Sequence, residues 1–149
     1  MIRPTARAVA LSTTAALALA GCSTTTLRVS PPEPAPNEVA VCTELHAHLP
    51  ERVLDEPERE TAPDSDLTAA WGDIVLRCGV DRPAALDATS QLFEIEGVDW
   101  FAQPLTKGTR FTTVGRDAYV EVDVSRDYEP EADVLLELAE PVKEHVPDA

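Results

Sequence analysis

The sequence predicts an α+β domain: a small antiparallel sheet with helices packed on one face, preceded by a signal peptide and a disordered tether. Three observations predict it. All seven aromatic residues fall between Trp71 and Tyr128, in a stretch where apolar and polar residues alternate between glycine turns, the pattern of half-buried strands. Apolar residues at helical spacing flank that stretch, over 38–49 and 132–142. The first 37 residues differ in composition from the rest: a short apolar run after two arginines, then a Ser/Thr- and Pro-rich stretch over 23–37 with almost nothing to bury.

Length and charge set the frame. A chain of 149 residues, 44% hydrophobic and 26% charged, has room for one domain and is too apolar to be wholly disordered. No apolar run reaches the roughly 18 residues of a spanning helix, which excludes a multi-pass membrane protein. Acidic residues outnumber basic ones 27 to 12, a net charge of -15. That balance opposes nucleic-acid binding, which needs Lys and Arg to neutralise phosphates.

Residues 1–21 read as a lipoprotein signal peptide. Arg3 and Arg7 supply a positive start, and residues 8–20 form an uncharged apolar run too short to span a bilayer. Leu19-Ala20-Gly21-Cys22 follows, a lipobox in which small residues admit a peptidase and place the Cys22 thiol for a diacylglycerol thioether. The expected product is anchored through Cys22 on the extracytoplasmic face of the cell membrane. Residues 22–37 read as a Ser/Thr/Pro-rich tether, because Pro31, Pro32, Pro34 and Pro36 favour extended polyproline II. At roughly 3.1 Å per residue it would hold a domain about 40 Å from the lipid.

The single domain is expected over 38–146. Asn37 is the expected cap of a helix starting at Glu38, with Val41, Cys42, Leu45 and Leu49 on its apolar face and Pro50 as its stop. Residues 55–66 read as a solvated loop. Ile74, Leu76 and Cys78 alternate against Val75 and Arg77 in a strand that Gly72-Asp73 either turns or bulges. A hairpin around Glu96-Gly97 pairs Phe93 with Trp100 and sets Glu94 against Asp99, a like-charge pair. A second hairpin, 109–114 with 117–124, closes on Gly115-Arg116 as a two-residue turn, which sets Phe111 opposite Val120 and Arg110 opposite Glu121. A last helix over 132–142 carries Val134, Leu135, Leu138 and Val142.

Few of these residues point to chemistry. The lipobox takes one of three cysteines, and Cys42 with Cys78 form an even pair in a compartment that permits disulfides. A metal or nucleophile site built on Cys42 and His46, four residues apart on one helix, is the weaker rival; zinc would need two further ligands, and His48 points elsewhere on the helix. His46 and His48 are read as ordinary exposed residues, and no cofactor or metal is expected. Glu94, Glu96 and Asp99 lack the spacing of a calcium loop and read as a solvated face. Trp71 and Trp100, with Arg77 and Arg116, are the candidate ligand-binding residues, against a core role for the tryptophans and ion pairing for the arginines.

The stretches Ala70-Trp71-Gly72-Asp73, Leu76-Arg77-Cys78-Gly79-Val80 with Pro83, Gly97-Val98-Asp99-Trp100-Phe101, Phe111-Thr112-Thr113, Gly115-Arg116 and Tyr119-Val120-Glu121-Val122 resemble the signatures of a family of actinobacterial secreted lipoproteins. That family is known as domain of unknown function 3515. Ile74 stands where the family usually carries proline after Gly-Asp. The resemblance implies an envelope role, the disulfide and the fold, with no activity or site. The expected function is a non-enzymatic, lipid-anchored binding or assembly module of the cell envelope, with envelope proteins or wall precursors as partners. The alternative is an envelope hydrolase or small-ligand enzyme that uses Arg77 and Arg116 with Glu94 or Asp99 in one pocket.

Overall fold

The computed structural model describes residues 26–149; the expected signal peptide and Cys22 lie outside them. In chain order the elements are β1 (Leu27–Arg28), α1 (Pro36–His46), β2 (Arg52–Val53), β3 (Glu56–Pro57), β4 (Thr61–Ala62), β5 (Thr68–Trp71), β6 (Ile74–Cys78), β7 (Leu92–Ile95), β8 (Val98–Leu105), β9 (Gly108–Val114), β10 (Val120–Ser125) and α2 (Ala132–His145). Six strands form one antiparallel sheet in the order β5-β6-β10-β9-β8-β7. Tight hairpins make most of its connections, and residues 79–91 carry the chain from β6 to the far edge. The architecture is α+β.

The helices share one core with one sheet face. Trp71, Ile74, Leu76, Val98, Trp100, Val122 and Val124 pack with Leu45 of α1 and with Val134, Leu135, Leu138, Ala139 and Val142 of α2. Alternation puts Ile74, Leu76 and Cys78 inward on β6 and leaves Val75 and Arg77 half-exposed on the other face. The helix α2 continues through Pro141 to His145, slightly past the expected end.

Of the two hairpins with an expected register, one takes it, and the Gly72-Asp73 alternative resolves as a turn. Gly72-Asp73 is a two-residue turn, with Trp71 paired to Ile74. Around Glu96-Gly97, Phe93 pairs with Trp100 and Glu94 with Asp99. The β9–β10 register is corrected: Phe111 faces Val122 and Arg110 faces Asp123, with residues 115–119 forming a longer loop. The C-terminal segment competes for the groups a tight turn would have paired. Asp117 N–H donates to the Pro147 carbonyl at 2.9 Å, and Ala149 N–H donates to the Gly115 carbonyl at 3.0 Å. Thr113 Oγ1 accepts the Val120 N–H at 2.8 Å and ends the ladder. A slip of two residues keeps every side chain on its expected face.

The expected boundary at residue 38 is also corrected. Leu27 N–H donates to the Glu60 carbonyl at 2.9 Å and Val29 N–H to the Ala62 carbonyl at 3.1 Å, so β1 lies parallel to β4 and Val29 is buried. The C-terminal part of the expected tether is therefore part of the domain. Polyproline-like chain has no internal hydrogen bonds, which leaves its carbonyls and its few N–H groups available to a neighbouring surface. Gly79 makes room for it: a side chain there would meet Pro34 at 2.6 Å and the Cys42 sulfur at 3.5 Å. α1 starts at Pro36 instead of Glu38. Pro36 occupies the first turn, where its missing N–H costs nothing, and the Glu38 carboxylate accepts the Ala35 N–H at 2.8 Å. The expected loop over 55–66 contains the two-residue strands β3 and β4, which pair with β2 and β1.

Candidate functional site

The face of the sheet away from the helices carries a charge ladder. Thr112, Glu121 and Arg77 lie directly opposite one another on β9, β10 and β6, and Arg110 faces Asp123 one row along. The Arg77 guanidinium donates to the Glu121 carboxylate. Arg110 Nε lies 3.2 Å from the second Glu121 oxygen. The Arg110 fork donates to both Asp123 oxygens at 2.7 and 2.8 Å. That hydrogen bond to Asp123 is the main reason the Arg110 guanidinium holds its proton even more firmly than usual, against the opposing effect of burial. The ladder floors a groove of about 640 Å³ whose walls include Pro32, Glu33, Asp81 and Gln103. Two guanidinium groups meet two carboxylates, and Glu33 and Asp81 add negative charge. Among the described residues lining the groove, an anionic ligand finds no unpaired cation.

The four candidate ligand residues are not brought together. Trp71 is fully buried and donates from Nε1 to the Pro50 carbonyl at 2.9 Å. Trp100 is also fully buried, and its Nε1 has no hydrogen-bond partner among the described residues. Both are core residues, which corrects the groove role. Arg116 lies at the β7–β8 turn, where it donates to the Gly97 and Val146 carbonyls at 3.0 Å each and pairs with Asp148 at 3.2 Å. It fastens the C-terminal segment to the sheet. Among the described residues neither Arg77 nor Arg116 pairs with Glu94 or Asp99, so the arginine–carboxylate pocket of the alternative reading does not form.

Cys42 and Cys78 form the expected disulfide, S–S 2.03 Å, which joins α1 to β6. The sulfur that a site built on Cys42 and His46 would need is thus consumed.

The two edges of the sheet differ. At β5, Arg59 N–H donates to the Ala70 carbonyl at 2.9 Å and Glu58 bridges to Trp71, so neighbouring chain covers the edge. At the other edge, β7 pairs with β8 on one side and, among the described residues, with no strand on the other. It exposes Leu92 at 39% and Phe93 at 54%. Beside them Glu94 faces Asp99 across the pair, and among the described residues no cation pairs with either carboxylate. An edge strand that no neighbour covers and that exposes an aromatic ring is a template on which another strand can pair, and the Glu94–Asp99 repulsion selects against a partner that brings further negative charge.

A second cluster joins the C-terminal ends of the two helices. The rings of His48 and His145 stack with centroids 3.8 Å apart and planes 15° apart. Glu44 Oε1 lies 3.6 Å from His48 Nδ1 and 3.8 Å from His145 Nδ1. His48 Nδ1 also donates to the Glu44 carbonyl at 2.9 Å. Sequence reasoning treats His48 as an ordinary exposed residue, and its partner His145 lies at the far end of the chain. The available signal is positional: a histidine ends or follows each of two helices that pack together.

A family model described as Protein of unknown function (DUF3515) matches residues 1–149. Comparison with curated proteins and with solved structures gives no match.

Proposed function

This chain belongs to the family described as Protein of unknown function (DUF3515), and from that premise we propose that it is a lipid-anchored binding module of the cell envelope that captures an extended segment of another envelope protein along β7. The observation that carries the reading is the open β7 edge with Phe93 and Leu92 exposed. An added strand would satisfy the unpaired backbone groups and cover the Phe93 ring. Lys or Arg on that strand would relieve the repulsion between Glu94 and Asp99. A second copy of the same chain fits less well, since it brings another net charge of -15 and another Glu94 to the same edge.

Location rests on the lipobox. The Cys42–Cys78 disulfide uses two of the three cysteines and not Cys22, and a stable disulfide suits an oxidising compartment. Intact-mass measurement of the native protein tests the anchor: a chain starting at an acylated Cys22 supports it, and an unprocessed start with three free thiols overturns it.

Docking is tested by placing a photocrosslinking phenylalanine analogue at position 93 in cells. Supporting the proposal requires a crosslink to an exported protein, mapped to an extended segment with Lys or Arg, and weakened when Glu94 and Asp99 are changed to Gln and Asn. Crosslinks only between copies of the chain, or none above a Cys22→Ala control, sink it.

A further inference from the structure

We propose that Glu44, His48 and His145 form a binding site for a divalent transition-metal ion of the zinc class, bridging the C-terminal ends of α1 and α2. One ligand atom from each residue lies within 4.8 Å of the other two. Two imidazole nitrogens and one carboxylate oxygen are the donor set of zinc and its neighbours, whereas calcium and magnesium prefer oxygen alone. Tetrahedral zinc, with ligands about 2.0–2.1 Å away, holds donor atoms roughly 3.4 Å apart. The Glu44 oxygen is already at 3.6 and 3.8 Å from the two Nδ1 atoms, and ligation through Nδ1 of His48 requires that atom to release its proton and its bond to the Glu44 carbonyl.

The surroundings favour a cation. Both contributing helices end here, and the negative ends of their dipoles point the same way as the charge of the carboxylates. The shallow pocket around the rings is lined by Glu137, Glu140 and Glu144, and Glu144 Oε2 lies 3.9 Å from His145 Nε2. Glu144, on the Nε2 side of the ring, orients His145 from outside when an ion sits at Nδ1. Near-parallel rings send their lone pairs side by side, so binding requires one ring to tilt. The side chain of His48 is 45% exposed and that of Glu44 61%, and no core residue has to move with them. His145, 18% exposed, is the fixed member.

The site is tested on the full chain, purified without a polyhistidine tag, by titration with Co²⁺ and Zn²⁺ as the only added ligands. The expected result is one equivalent of Co²⁺ with visible ligand-field bands, displaced by Zn²⁺. His48→Gln and Glu44→Gln, both at exposed positions, each weaken binding about tenfold or more, and His46→Gln leaves it unchanged. Absence of saturable bands overturns the proposal. So does binding that survives undiminished in the His48→Gln/Glu44→Gln double variant, because the ion would then sit elsewhere.

Discussion

Arg77 and Glu121 face each other directly across β6 and β10, and Arg110 reaches the same carboxylate from the next row. Glu121 thus compensates two guanidinium groups while its own side chain is only 10% exposed. Its removal leaves two neighbouring cations with Asp123 alone. Glu121→Gln is expected to lower stability by about 1–3 kcal/mol, measured by urea denaturation. A double-mutant cycle with Arg77→Met should give a coupling of about 0.5–3 kcal/mol; additive single losses would show that the pair is independent.

The disulfide closes a loop with a sequence separation of 36 residues. On the chain-entropy account such a loop contributes about 4 kcal/mol. Cys42→Ser/Cys78→Ser should lose about that much in chemical denaturation, while Cys22→Ala should lose nothing measurable.

Gly108 and Gly115 separate two reasons for glycine. A side chain at Gly108 would meet the Val124 carbonyl oxygen at 1.9 Å, on the paired strand β10. At Gly115 there is open space, but the backbone sits at φ +76. Gly108→Ala should cost about 1–3 kcal/mol through forced backbone movement, and Gly115→Ala about 1 kcal/mol through the left-handed conformation alone. Thermal melts of the two variants check the order.

Tyr128 gives a pH dependence with a definite sign. Burial, then the nearby Glu56 and Asp73 carboxylates, push its hydroxyl above the ordinary tyrosine range, and the hydrogen bond from the Asp73 N–H only partly opposes this. The folded state therefore keeps the proton longer than the unfolded chain. The resulting stability is intact below about pH 10 and is lost as pH climbs through the folded-state value. In Tyr128→Phe the urea midpoint should fall less between about pH 9 and pH 11 than in the native chain; equal falls would rule the assignment out.

The sheet was legible in the sequence wherever pattern and turn chemistry agreed. Glu96-Gly97 requires both turn residues at positive φ, and 52° and 82° are what they adopt, so the Phe93–Trp100 register followed. At Gly115-Arg116 the same reasoning missed by two residues, because the Pro147 and Ala149 backbones bond the loop from the other end of the chain. The docking of 26–35 was hidden for a related reason. It rests on backbone hydrogen bonds to Glu60 and Ala62 and on one buried valine, which leave no periodic trace. Trp71 and Trp100 read equally well as core or groove from composition, and only burial separates the two. The His48–His145 stack depends on how α1 and α2 pack, information that no local window contains.

The seam between β1 and β4 has a mechanical consequence. Tension applied to the chain ahead of Leu27 is borne first by two residue pairs and the burial of Val29. When they yield, slack pays out through the polyproline stretch and the start of α1, and the cystine at Cys42 then arrests it. Residues 27–41 supply at most about 50 Å at roughly 3.3–3.6 Å each. The chain ahead of the sheet is thus an extensible lead whose far end is fixed covalently to β6 through Cys78.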